Sequence, residues 1–305
     1  MATSEMTPFE KCRTEFAGAP SLSEATQIVW SRSADISEVE RRGMFQHYTT
    51  LNRVLEKIIT RRWYLTRCDS KKLNDLKEAE KYGRSRKQLM QRTYITCFGN
   101  GAGESVAMWG LYALNDPFAI RISLPRKTID KWMGELASGM DPVAHDKKGE
   151  LIEQTKLELP LFRDMVYVAV QDKEIVDEFD IRRTNTISWE GAKCNLDKGY
   201  DLESEIKREE YAGWLKDYEW HHERESRLCV RLKKKIKDEA ISIVIPDYVL
   251  ANMRFTFSPW LVDEAVRGSI QATVEAALKS SGVKRSPRFQ RFRRSVLQGA
   301  LNFKS

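Results

Sequence analysis

The residues best suited to chemistry lie in one block, Trp220-His221-His222-Glu223-Arg224-Glu225-Ser226-Arg227, which runs into Leu228-Cys229-Val230-Arg231-Leu232. Two carboxylates stand two residues apart, and an arginine follows two further on. Along a strand, positions i and i+2 share a face. Glu223, Glu225 and Arg227 are therefore expected to project together, with Leu228, Val230 and Leu232 on the opposite side. Such a strand offers an active site its floor, because a fixed carboxylate stabilises developing positive charge and a neighbouring arginine keeps it ionised. The same row also reads as a structural ion-pair row on a half-exposed strand.

Other candidates are scattered upstream. His47 is expected at the end of a strand, just before a helix. Trp109 and Tyr112 lie three apart, on one helix face, and suit either core packing or ligand stacking. Gly99-Asn100-Gly101-Ala102-Gly103 sits between a strand and a helix, the place of a phosphate cradle. It lacks both the Gly-Lys-Ser/Thr ending of a P-loop and the dinucleotide fingerprint, so a plain connection is favoured. His221 and His222 are adjacent and would face opposite ways on a strand, so no metal site is expected. No Ser-His-Asp or Cys-His arrangement can be assigned from spacing.

The elements that must position these residues alternate in period. Leu51, Val54, Leu55 and Ile58 mark a short amphipathic helix behind Thr50 as N-cap. Strands are expected over 62–66, 93–98, 118–123, 165–170, 241–245 and 254–257. Helices are expected over 77–92, through 108–112 and over 129–136. Ser258-Pro259 reads as the start of a last helix that Gly282 closes. Strands and helices mix without regular βαβ alternation, which gives an α+β fold with a mixed, mainly antiparallel sheet core and flanking helices. Residues 1–42 are expected as a loose or helical lead-in, 43–283 as one core domain with 141–158 as a polar insertion, and 284–305 as a basic tail.

Composition narrows the class. The 305 residues carry 51 Lys and Arg against 44 Asp and Glu, a net charge of +7. The excess is concentrated in 231–235 and 284–294, and the second run interleaves arginines with aromatics, a pattern that suits nucleic acid as well as a solvated face. Hydrophobic residues make up 41%, enough for a core, and no apolar run could span a membrane. The five cysteines form no Cys-x-x-Cys pair, which points to reduced thiols in a cytoplasmic protein.

Several short blocks occur in an order that resembles the bacterial family called domain of unknown function 2971. They are Phe45-x-His47-Tyr48-Thr49, Trp63-Tyr64-Leu65-Thr66 and Leu73-Asn74-Asp75-x-x-Glu78, then Tyr94-Ile95-Thr96-Cys97-Phe98 with Met108-Trp109-x-x-Tyr112. Lys216-x-x-x-Trp220-x-x-Glu223-x-Glu225-x-Arg227, Ile245-Pro246 and Phe257-Ser258-Pro259 follow. Leu76 stands where that family often has proline. His47-Tyr48-Thr49 before an amphipathic helix and a strand is also similar to the opening of ADP-ribosyltransferases.

That second likeness implies an ADP-ribosyltransferase-like fold with NAD as substrate. His47 would hold the cofactor ribose beside Tyr48 and Thr49. One of Tyr64, Trp109 or Tyr112 would face nicotinamide. Glu225 or Glu223 would be catalytic, with Arg227 beside it. The protein would then be a toxin or phage-defence effector acting on a nucleic-acid or protein acceptor. The alternative is a non-catalytic module that binds nucleic acid or protein through its basic C-terminal region. Oligomeric state is left open.

Overall fold

The computed structural model describes residues 6–33, 36, 44–70, 73, 84–100, 103–114, 116–138, 144–146, 148–152, 157–170, 185–197, 199–283 and 291–298. The chain opens with helices α1 (Pro8–Ala17) and α2 (Leu22–Arg32), followed by β1 (Phe45–Thr49), α3 (Leu51–Thr60), β2 (Arg62–Arg67), α4 (Arg84–Met90) and β3 (Thr93–Gly99). Next come α5 (Val106–Ala113), β4 (Ile120–Leu124), α6 (Arg126–Ser138), β5 (Ala144–His145), β6 (Leu151–Ile152), β7 (Leu157–Asp164) and β8 (Val166–Ala169). Then follow β9 (Thr186–Trp189), β10 (Ala192–Asn195), α7 (Leu202–Glu205), β11 (Leu215–Asp217), β12 (Glu225–Leu232), β13 (Ala240–Val244), α8 (Asp247–Asn252), β14 (Arg254–Phe257), α9 (Glu264–Ser280) and β15 (Phe292–Arg293).

Helices and strands thus mix in an α+β protein, and the strand pairings are mostly antiparallel. The larger sheet is organised around β3. One edge of β3 pairs along its length with β12, which in turn pairs with β7. Its other edge is shared. β1 meets it only at Gln46↔Gly99, while β2 meets it at Thr66↔Ile95 and Arg67↔Tyr94. From there β1 leads to β4, β14 and β15, and β2 leads to β13, β5 and β6. The sheet therefore divides between β1 and β2. A smaller sheet runs β10-β9-β8-β11, with β8 and β11 parallel.

Alternation along the strands decides what each face does. Phe45, Phe98, Leu228, Val230 and Leu232 turn into the main core, with Val54 and Ile58 of α3, Trp132 of α6, and Val274 of α9. Burying side chains of this size contributes roughly 1.5–3 kcal/mol each. Gln46, Cys97, Glu225 and Arg227 take the opposite parity and face away from that core. The helix behind Thr50 and the strand over 254–257 form as the sequence leads one to expect. Within the lead-in, expected as loose or helical, α1 and α2 are helical and pack on the smaller sheet through Phe16, Leu22, Val29 and Trp189.

Two boundaries differ from expectation. The last helix starts at Glu264, capped by Asp263, because the Asp263 carboxylate accepts from the N–H groups of Ala265 and Val266. Ser258-Pro259 lies in the turn before it. Beyond residue 283, β15 adds in parallel to β14, and Phe292 stacks on Phe255 and Phe257. Asn74, Asp75, Glu78, Gly101, Ala102 and basic-run residues 284–290 lie outside the described residues.

Candidate functional site

Glu223, Glu225 and Arg227 converge, although not all from one strand. β12 begins at Glu225, and Glu223 ends a 3-10 turn over Tyr218–Glu223. Between them Arg224 adopts the left-handed conformation (φ 42°, ψ 55°), which a non-glycine residue rarely takes. Its strain is offset by bonding at both ends. Its N–H donates to His221 O at 3.3 Å, and its carbonyl accepts from Asn100 N–H at 2.7 Å. This kink aims both carboxylates at one ammonium. Lys216 Nζ donates to Glu223 Oε2 at 2.5 Å and to Glu225 Oε2 at 3.2 Å.

Other elements complete the cluster. Arg227 Nε donates to Glu225 Oε1 at 2.6 Å, and Arg227 Nη1 donates to Gly213 O at 3.0 Å. Gly213 has φ +82°, a conformation that favours glycine and strains other residues. Lys216 on β11 pairs with Tyr167 on β8, and Tyr167 Oη accepts from Glu225 N–H at 2.7 Å. Tyr112 Oη donates to Glu223 Oε1 at 2.8 Å. Lys216 Nζ also sits 4.5 Å from the centre of the Trp220 ring.

The two carboxyls diverge in acidity. Burial pushes Glu223 up and the charge of Glu225 adds to it, against the bonds from Lys216 and Tyr112. Burial would also raise Glu225, but Arg227 and Lys216 outweigh it and hold that carboxyl well below its usual range. A carboxyl that readily takes a proton thus stands beside one that stays ionised, the arrangement that divides acid and base duties between neighbours.

Beside this pair opens a pocket with about 510 Å³ of empty space, mouth included. Gln46 and Tyr48 of β1, Glu104, Ser105, Glu223 and Arg224 are among its lining, and Ser295 Oγ donates to Glu104 Oε2 at 2.5 Å. The pocket meets the first turn of α5, where Ser105 Oγ accepts from Met108 N–H at 3.2 Å. Tyr48 Oη accepts from Ser105 N–H at 3.2 Å and donates to Gln46 Oε1 at 3.0 Å. Arg224 faces two carboxylates of the lining, Glu104 and Glu223, and the Ser105 and Met108 N–H groups at the start of α5 are already bonded within the protein.

His47 does not join this site. Gln46, Gly99 and Glu225 stand opposite one another, so their face is shared, and His47 takes the other face by strand alternation. There its ring lies 5.0 Å from Trp63 and 5.6 Å from Phe98. Its Nδ1 is 3.0 Å from Cys97 O, so the neutral ring donates to a β3 carbonyl within the division between β1 and β2. Burial, with the charge of Lys57 nearby, pushes its pKa down to about 3. The expected shared cleft of His47 and the carboxylates is thereby corrected: one step of strand parity separates them.

The remaining expected residues divide in the same way. Tyr48 lines the pocket and Tyr112 caps Glu223. Trp109 is fully buried behind Tyr48, edge-on at 4.9 Å, so it supports the wall without facing a ligand. Tyr64 is exposed on β2, away from the pocket lining, and Thr49 is buried opposite Ile120. Arg227 is committed to Glu225 and Gly213. His222 lines the pocket, and no cluster of metal-ligating side chains occurs among the described residues.

Lys216 and Tyr167 had no expected role. Lys216 precedes the carboxylates by seven and nine residues, and that spacing in the quoted block was its sole signal. Among the described residues, no helix is long and apolar enough to cross a membrane. No family model, curated protein or solved structure matches the chain.

Proposed function

We propose that the chain is an NAD-consuming, ADP-ribosyltransferase-like enzyme, with Glu223 as its working carboxylate and the Tyr48–Arg224 pocket as its nucleotide site. The observation that carries the reading is the Glu223–Glu225 pair, split in acidity, with Glu223 at the edge of the pocket that Tyr48 and Arg224 line. In the reaction, the bond between nicotinamide and the ribose carbon breaks. Its electron pair neutralises the pyridinium, and nicotinamide leaves. Water or an acceptor hydroxyl attacks the ribose carbon and passes its proton to Glu223. Glu225, held ionised by Arg227 and Lys216, supplies fixed negative charge behind the developing cation. The Glu223 side chain is fully covered, so Tyr112 must turn aside for the reaction.

This reading keeps the sequence resemblance but gives up His47 as the ribose contact. A second reading has its own observation. Both carboxylates are buried and matched by cations, as in a static ion-pair core of a binding module. The full chain incubated with NAD, alone and with RNA, DNA or cell extract, separates the two. Release of free nicotinamide that falls roughly 100-fold or more in a folded Glu223→Gln variant supports the enzyme. No release under any of these conditions favours the binding module.

A further inference from the structure

A second groove lies on the β7–β12 part of the sheet, with about 660 Å³ of empty space, mouth included. Trp30, Leu161, Arg163, Trp214, Cys229 and Arg231 line it, together with Glu210. Arg163 is its distinctive member. Its guanidinium lies 4.7 Å from the Trp30 ring centre and 5.5 Å from that of Trp214. Among the described residues it makes no hydrogen bond or ion pair. Burial and the neighbouring charge of Arg231 both work against its own charge. Arg231 anchors Nε on Thr93 Oγ1 and Nη2 on Ala212 O, and Nη1 has no described partner. The Glu210 carboxylate on the lining is paired with Arg208 at 3.0 Å.

An arginine with no acceptor among the described residues, resting against two indoles beside a second cation, suits an anion with an aromatic body. We infer that this groove binds one nucleotide unit of a single-stranded nucleic acid, its phosphate on Arg163 and Arg231 and its base against the guanidinium plane on the side away from Trp30. Bases stack on aromatic and guanidinium faces whatever their identity, and the phosphate fixes the register. The net charge of +7 favours a strand over a neutral ligand. The groove is separate from the Glu223 pocket, and the inference does not depend on NAD chemistry.

The test is binding of a short fluorescent single-stranded oligonucleotide by the full chain, followed by anisotropy at several salt concentrations. The comparison ligands are a nucleoside 5′-monophosphate and the same oligonucleotide as a duplex. Wild-type chain is expected to bind the single strand more tightly than either, with affinity falling as salt rises. Arg163→Gln removes no hydrogen bond within the protein, so it should fold, as thermal unfolding will verify. Its affinity is expected to drop roughly tenfold or more, with a shallower salt slope. Arg163→Lys keeps the charge but loses the planar fork, and should fall between the two. Glu223→Gln should bind as wild type does. Equal affinity of wild type and Arg163→Gln overturns the inference. So does a mononucleotide or duplex that binds as tightly as the single strand.

Discussion

Replacing Lys216 by methionine is the sharpest perturbation of the carboxylate cluster. The Lys216 side chain is 4% exposed, and its ammonium donates to two carboxylates that are themselves covered. Without it, Glu225 retains Arg227, but Glu223 retains only the Tyr112 bond among the partners described here. Breaking a buried pair from one side costs about 3–5 kcal/mol. Protonation limits that penalty. From its ordinary pKa of 4.5, neutralising Glu223 at pH 7 costs roughly 3.5 kcal/mol, and less once burial and Glu225 have raised it.

A loss of about 3 kcal/mol near pH 7 is therefore expected from urea unfolding. The deficit must depend on pH. The variant's folded Glu223 takes a proton that its unfolded chain releases, so stability declines as pH rises, by at most about 1.4 kcal/mol per unit. The deficit should be small near the ordinary carboxyl pKa and full in neutral solution. Adding Glu223→Gln to Lys216→Met should recover much of the loss. A deficit under about 1 kcal/mol that is flat across pH would refute the reasoning, because it would mean the three groups are not coupled.

Other substitutions follow from the same geometry. His47→Ala should cost about 1–3 kcal/mol in urea unfolding through the orphaned Cys97 carbonyl, and leave the KM for NAD unchanged in material that remains folded. Because folding lowers the His47 pKa from 6.5 to about 3, its neutral form contributes stability above about pH 6.5 that is lost as pH falls towards 3. A His47→Gln variant should show a weaker acid dependence of its unfolding midpoint. Tyr112→Phe removes a bond that lowers the Glu223 pKa in the free enzyme, so the pH profile of kcat/KM for nicotinamide release should move upwards by a measurable fraction of a unit, with the kcat profile unmoved. Truncation at residue 290 strips Phe292 from Phe255 and Phe257 and frees Glu104 from Ser295. It should lower the melting temperature, as followed by circular dichroism.

The fold was legible in the sequence where one period dominated. Leu51, Val54, Leu55 and Ile58 could only form a helix with one apolar face, and Leu228, Val230 and Leu232 could only turn into a core. Parity was not legible where a strand is covered on both sides. β1 packs Phe45 and His47 against the main core and Tyr48 against Trp109, so no alternation tells which face His47 takes. Glu223 looked like part of the strand because i and i+2 spacing suits one. The left-handed Arg224 depends on Asn100, far away in sequence, and has no local signature. Lys216 reaches the carboxylates only because β11 runs parallel to β8, a pairing set by the whole smaller sheet. Arg163 is hidden for the same reason, since its tryptophans come from α2 and from the segment before β11.

A structure of the full chain with bound NAD tests the central claim most directly. The account expects the nicotinamide ribose beside Glu223, with Tyr112 turned aside, the pyrophosphate near Ser105 and Arg224, and His47 still bonded to Cys97. NAD seated on the other face, with its ribose on His47 and the Glu223–Lys216–Glu225 cluster untouched, would contradict it.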